Sequence, residues 1–328
     1  MYRCILVPLD GSPFGEQALP HAASIARRTG ATLHLTHVHL PPILPSGAET
    51  AALPPIWLEM TRDEKRTYLQ TLARRVRNDY DVPVETQLMD GGVATALERH
   101  AMTCAVGLVV MSTHAHVGLS RLWHHGVADQ LSRDLPLPIL LIRPAEEELP
   151  RGEIERPEVT RLLLPLDGSV EAEGIIRHAT RLGVAFGARY TLFRVVQADP
   201  GIMSSMLGAS EPSRELLHEE QTAARQYLNS VAERMRAGGL EVDTEVVTGD
   251  DVPAAVITRV LEGAHGRRPR VDLVAIETHP RSFVARLLFR GTTDGLVKES
   301  LVPTLVLQGA PELVTAPVDA LGAAVAGA

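Results

Sequence analysis

Two cysteines in 328 residues, Cys4 and Cys104, are too few and too far apart along the chain for a disulfide framework. Both lie in apolar segments, so the sequence offers no cysteine-based zinc site, and such sparse thiol use fits a reducing, cytoplasmic compartment. Aromatic residues make up only 4%, which removes the stacking platform that single-stranded nucleic acid needs. The net charge is −8 and Lys and Arg nowhere gather into a long basic cluster, so phosphate neutralisation of a nucleic acid has no surface to work from. No apolar run reaches the ~18 residues of a membrane span. The opening Met-Tyr-Arg-Cys passes straight into a strand-like run without the basic and apolar regions of a signal peptide. The expectation from these lacks is a soluble protein with neither membrane nor nucleic acid as partner.

What the chain does have is a repeat. Val7-Pro-Leu-Asp-Gly-Ser12 returns as Leu164-Pro-Leu-Asp-Gly-Ser169, a shift of 157 that also carries His21 onto His178, Gly30 onto Gly187, Leu35 onto Leu192 and Val38 onto Val195. Further on, Leu108-Val109 and Thr113-His114 recur at Leu273-Val274 and Thr278-His279, a shift of 165. Whole domains are duplicated. The expected division is domain 1 over 1–144, a polar Pro-bearing linker over 145–159, domain 2 over 160–309 and a low-complexity tail over 310–328.

Within each half, short Val/Ile/Leu-rich runs alternate with helical periodicity. The runs are apolar nearly throughout, as befits parallel strands covered on both faces. The first half reads as strands at 3–9, 32–38, 83–89, 107–111 and 138–142 with helices at 13–29, 57–79, 93–104 and 119–134. The second reads as strands near 161–166, 189–196, 241–247, 271–276 and 303–307 with helices near 170–186, 213–237, 252–264 and 284–299. Ser12-Pro13 has the form of a helix N-cap followed by proline, and Gly30 stands where a C-terminal cap belongs. Longer loops at 41–55 and 199–211 have the length of lids. Helix 57–79 reads as an amphipathic surface helix.

Ligands of open parallel sheets gather beyond the carboxyl ends of the strands, where the strand order reverses. Asp10 and Asp167 end the first strand of each half. Each is open to two roles: meeting a ligand, or making turn bonds to the Gly-Ser amides that follow.

With these residues in view, the chain resembles the universal stress protein family, as a tandem pair over roughly 2–143 and 160–308. The resemblance rests on the repeated Pro-Leu-Asp-Gly-Ser, on Ser112-Thr-His114 and Glu277-Thr-His279 after the fourth strands, and on Gly118-Leu-Ser-Arg-Leu-Trp123 with Val127-Ala-Asp-Gln-Leu131 following. It implies an α/β fold of two tandem five-stranded parallel-sheet domains with helices on both faces, Rossmann-like and similar to the adenine nucleotide alpha hydrolases. It implies a role in stress survival, and a family divided between members that bind ATP and members that do not. It further implies pairing of the last strands, here 138–142 and 303–307, as an intramolecular pseudo-dimer, with a homodimer as the next level of assembly.

Nucleotide-binding members carry Gly, two residues, Gly, nine residues, then Gly-Ser or Gly-Thr, so that bare backbone can approach phosphate ahead of a helix N-terminus. On this chain the pattern falls on Ser112, Ala115, His125 and Gly126 in the first half. In the second it falls on Glu277, Pro280, Arg290 and Gly291. A carboxylate at Glu277 and the missing amide hydrogen of Pro280 disfavour triphosphate there. In the first half the residues implied to contact ATP or AMP, with magnesium, are Pro8, Asp10, Val38, Ser112, His114, Ala115, Gly126 and Val127. Asp167 is the one such residue in the second.

Catalytic signatures are missing. There is no Gly-x-Ser-x-Gly elbow, no Walker lysine and no His-x-x-x-His or His-Glu-x-x-His helix, and Cys104 reads as core. Histidines 37, 39, 114, 116, 124 and 125 gather near the strand ends and read as solvated loop and strand residues rather than metal ligands. The expected protein is therefore non-enzymatic, acting in stress response through an unidentified protein partner or a small ligand, with degenerate nucleotide loops. The alternative is an ATP- or AMP-binding switch with at most slow hydrolysis, its nucleotide held mainly in the first half.

Overall fold

The computed structural model describes residues 2–39, 55–112, 137–143, 156–197, 214–278 and 302–308. The chain divides into two compact units, Met1–Pro157 and Glu158–Ala328.

The first unit runs β1 (Cys4–Pro8), α1 (Pro13–Glu16), α2 (Leu19–Thr29), β2 (Thr32–His39), α3 (Pro55–Tyr80), β3 (Val84–Asp90), α4 (Val93–Thr103), β4 (Leu108–Ser112) and β5 (Ile139–Ile142). Its strands pair in parallel in the order β3-β2-β1-β4-β5. Every residue of β1, β4 and β5 is buried, the signature of strands sandwiched between helix layers. The helices α2 and α3 pack on each other and on β1, β2 and β3, whereas α4 packs on β2 and β3. Right-handed crossovers put α2 and α3 on one face, because the chain steps outward from β1 to β3. They put α4 on the other, because it returns inward to β4. The order reverses between β1 and β4, and the carboxyl ends of these two strands border the crevice.

The second unit repeats this with β6 (Arg161–Pro165), α5 (Gly174–Phe186), β7 (Arg189–Val196), α6 (Arg214–Ala237), β8 (Val242–Thr248), α7 (Val252–Ala264), β9 (Leu273–Thr278) and β10 (Thr304–Gln308). Its strand order is β8-β7-β6-β9-β10, all parallel. The fold class expected from the sequence is the one observed.

Three local readings need correction. The helix expected over 13–29 is broken into α1 and α2. Pro20 has no amide hydrogen, and its ring would strike the carbonyl of Glu16 in a continuous helix. The helix expected from 170 begins at Gly174, with a turn before it. Cys104 is not core: it caps the end of α4 and is partly exposed. The expected caps are in place, since the Ser12 side chain accepts a bond from the Gly15 amide and Gly30 is left-handed at φ 69°. The helices expected over 119–134 and 284–299, most of each lid loop, and the tail lie outside the described residues.

Candidate functional site

At the carboxyl end of β1, Asp10 turns back on its own loop. Its Oδ1 accepts the Ser12 amide at 2.9 Å and the Ser12 hydroxyl at 2.7 Å, while Ser12 Oγ accepts the Gly15 amide at 3.1 Å. Asp167 does the same at the end of β6, accepting the Ser169 amide at 2.9 Å and its hydroxyl at 2.5 Å. The turn-forming role weighed for both aspartates is thus realised in both units. Pro8 and Val38 are buried at the ends of β1 and β2. Ser112 ends β4, 7% exposed, and its hydroxyl has no hydrogen-bond partner among the described residues. His114, Ala115, Gly126 and Val127 lie outside the described residues.

Two further side chains converge on the β1 loop. Gly11 has φ +87°, and a Cβ there would stand 3.3 Å from Lys65 Nζ and 3.9 Å from His37 Cε1. Only glycine adopts this backbone freely, and its bareness lets a lysine from α3 and a histidine from β2 lie against the loop. His37 is buried, with Nδ1 2.9 Å from the Leu9 carbonyl, so Nδ1 carries the proton and donates. Burial, with the Lys65 ammonium nearby, lowers its pKa and keeps the ring neutral. Lys65 was not legible as a site residue, because it sits in a helix whose mixed charges read as an ordinary solvated face. Beside the loop, a surface groove of about 670 Å³ is lined by Glu16, Asp63, Glu64, Tyr68 and Arg75. Its surplus of carboxylates makes it a poor seat for an anion.

The second unit fills the equivalent space with its own side chains. Gly168, φ +89°, lies under the guanidinium of Arg194, which also sits over the Tyr227 ring at 5.3 Å. Arg194 occupies the position that the 157-residue shift assigns to His37. Matching Tyr68 to Tyr227, which stand near Glu16 and Glu173 respectively, makes Ala224 the counterpart of Lys65. Glu277, the counterpart of Ser112, is 8% exposed. Its carboxylate occupies the space a side chain on Gly174, the first residue of α5, would need. Burial foremost, then the charges of Glu171 and Asp167, push its pKa up to about 7, although the amides of Gly174 and Ile175 favour the charged form. The start of α5 is thus covered by the protein's own acid.

At the amino end of the first sheet the structure makes a grouping that the sequence reading excluded. His34 of β2, His100 of α4 and Cys104 at the helix end lie together, one donor atom from each within 4.8 Å of the others. The sequence reading set Cys104 aside because it lies in an apolar segment far from Cys4, but the crossover from β3 through α4 brings it to His34 of β2.

The family model for the universal stress protein family matches the chain twice, over residues 1–143 and 158–308. The chain belongs to that family. Among curated relatives, it is 24% identical over 152 residues to universal stress protein MJ0531 of Methanocaldococcus jannaschii, spanning 45% of this chain and 86% of the relative. It is 33% identical over 125 residues to universal stress protein A homolog 1 of Coxiella burnetii, spanning 37% of this chain and 83% of that one. Among solved structures, a universal stress protein from Archaeoglobus fulgidus matches 93% of this chain and 98% of its own with TM-score 0.65 at 13% identity, a likeness of fold. No helix among the described residues is long and apolar enough to cross a membrane.

Proposed function

We propose that this universal stress protein works by binding rather than by catalysis, and that its site for a small anionic ligand, an adenine nucleotide such as ATP or AMP, survives only in the first unit. The observation that carries this reading is the contrast between Ser112 and Glu277. One is a buried neutral hydroxyl with no partner among the described residues; the other is a buried acid against the start of α5, its Oε2 also unpartnered, which opposes an anion where the hydroxyl can donate to one. An unpaired buried polar group costs about 1–3 kcal/mol, which a ligand that bonds to it recovers. In the first unit the residues that would hold the nucleotide are Asp10 and the Val38 backbone on the base and ribose side, with Pro8 shaping the wall. Ser112, Lys65, His114, Ala115, Gly126 and Val127 would serve the phosphates, with magnesium accompanying ATP. Lys65 lies against the loop at Gly11 and supplies the positive charge that phosphate requires. Without a Walker lysine or a nucleophile elbow the site has little with which to steady charge during phosphate cleavage.

The second reading, a chain that meets protein partners with neither unit holding nucleotide, is favoured by the bulk of His125 where bare backbone is wanted. Isothermal titration with ATP and with AMP, with and without magnesium, separates the two. The first reading expects one nucleotide per chain, about tenfold weaker in Lys65→Ala, with no phosphate released above background. No heat at millimolar nucleotide would leave the second reading standing.

A further inference from the structure

At the amino end of the first unit's sheet, opposite the site just described, two elements bring three soft donors together. Strand β2 supplies His34 two residues after its start, and α4 supplies His100 and Cys104 from its last turn. The helix runs back toward the starts of the strands, so its carboxyl end meets the beginning of β2. His34 Nδ1 is 3.2 Å from His100 Nε2, and His100 Nδ1 is 3.8 Å from Cys104 Sγ. The two residues of α4 are four apart, a spacing that puts both side chains on one face of a helix.

We propose that His34, His100 and Cys104 form a binding site for a zinc-class divalent ion, with Glu85 holding the far side of the His34 ring. A tetrahedral ion bonded to imidazole nitrogen at ~2.0–2.1 Å and thiolate at ~2.3 Å sets its donors about 3.3–3.6 Å apart. One donor atom from each residue lies within 4.8 Å of the other two, and His100 faces His34 with Nε2 and Cys104 with Nδ1, so a rotation of its ring that commits one nitrogen to the ion draws the three donors to that spacing. One thiolate with two imidazoles selects a borderline-soft metal over magnesium or calcium, which want oxygen. Three protein ligands leave a fourth position for water or another small ligand, the pattern of an open rather than a purely structural zinc site.

Two further observations support the assignment. Glu85 is the direct neighbour of His34 across the β2–β3 ladder, and its Oε2 is 3.4 Å from His34 Nε2. With Nε2–H turned to a carboxylate, Nδ1 is left with its lone pair toward His100 and Cys104, the tautomer that binds a metal. The second is the matching place in the second unit. There the ladder pairs Thr191 with Asp243, and the 157-residue shift puts Arg161 in the place of Cys4. Counted from the first residue of each helix, Arg259 stands for His100 and Gly263 for Cys104. Arg161 bonds to Thr191 at 2.9 Å and to Asp243 at 2.5 Å, and Arg259 holds Glu245 with two bonds at 2.7 and 2.9 Å. The second unit closes this place with its own guanidinium–carboxylate pairs, whereas the first has Cys4 in place of Arg161 and His100 in place of Arg259. One ion per chain follows, and the site stands independently of the nucleotide reading.

The test is a cobalt(II) titration of the full chain, kept reduced with a phosphine that does not chelate metal. The expected result is one cobalt per chain with a thiolate-to-cobalt charge-transfer absorption, abolished by one equivalent of zinc. Cys104→Ala should lose that absorption and Cys4→Ala should keep it, because Cys4 is buried in β1 and burial pushes its thiol up to about 12. Glu85→Gln, at an exposed position where folding is not at stake, should retain the absorption and weaken cobalt binding about tenfold. Wild-type protein that binds cobalt without a charge-transfer band, or a band that survives Cys104→Ala or disappears in Cys4→Ala, would overturn the assignment. So would unchanged cobalt affinity in both His100→Gln and Glu85→Gln with their circular dichroism intact.

Discussion

The two units share a strand order and a β1-type loop almost residue for residue, yet they spend their polar side chains differently. The second unit fills both places with its own charged side chains. Arg194 lies over the Gly168 loop, Glu277 turns onto the start of α5, and Arg161, Arg259 and Arg268 pair with Asp243 and Glu245. Among the described residues the first unit carries no such ion pairs at these places: Ser112 has no partner, Lys65 lies against a bare loop, and the donors His34, His100 and Cys104 contact one another. On the proposed reading, one copy keeps capacity for ligands while the other closes the same places with internal ion pairs. The comparison also explains why the fold survives such divergence. The apolar strands set the architecture, and the polar positions at their two ends are exchanged without disturbing it.

The largest effect expected from breaking this contrast is at Arg259, which is 2% exposed and grips Glu245. Arg259→Ala should destabilise the second unit by about 3 kcal/mol in urea denaturation, because it removes a buried guanidinium bonded to Glu245 and to the Pro269 carbonyl and leaves only the more exposed Arg268 on that carboxylate. His100→Ala at the matching place should cost the first unit about 1 kcal/mol, since no buried ion pair is broken. Equal losses in the two variants would remove the claim that only the second unit is internally closed.

Next in size is the pH response of Glu277. Its folded pKa, near 7, lies above the ordinary 4.5, so the folded protein holds this proton more tightly than the unfolded chain does. Stability from this group is therefore lost as pH rises from about 4.5 through 7. Glu277→Gln should raise stability at pH 8 by about 2 kcal/mol and change it little at pH 4. Thermal melts across that window check the sign, and a variant stabilised only at low pH would contradict it.

The smallest expected effect concerns what the units have in common. Ser12 Oγ and Ser169 Oγ accept the amides of Gly15 and Ala172, both at 3.1 Å. Ser12→Ala and Ser169→Ala should each cost about 1 kcal/mol, equally in the two units. A marked difference would mean that one loop is held by something other than its serine cap.

Much of this was legible in the sequence. The repeated Pro-Leu-Asp-Gly-Ser gave away the duplication, unbroken Val/Ile/Leu runs marked the parallel strands, and the Ser12-Pro13 and Gly30 caps lie where their chemistry placed them. The break at Pro20 was legible too, since proline sits four residues after Glu16, but a continuous amphipathic pattern masked it. The site was harder to see. Lys65 comes from a helix whose charges look like any solvated face, and only the fold turns its amine toward Gly11. His100 and Cys104 stand as His-x-x-x-Cys, a helical metal-ligand spacing hidden by a search for histidine pairs alone. Their partner His34 could be joined to them only by the register of β2 and the return path of α4. Glu277 was readable as an obstacle to phosphate, but not as a carboxylate turned onto the start of its own helix.

The most direct measurement is a reciprocal exchange at the ends of β4 and β9, with nucleotide stoichiometry read by equilibrium dialysis against labelled ATP. The unaltered chain should retain one nucleotide, Ser112→Glu should retain none, and Glu277→Ser should keep one or gain a second. Retention of nucleotide by Ser112→Glu at undiminished affinity would contradict the claim that the open hydroxyl of the first unit, set against the carboxylate of the second, decides where a ligand binds.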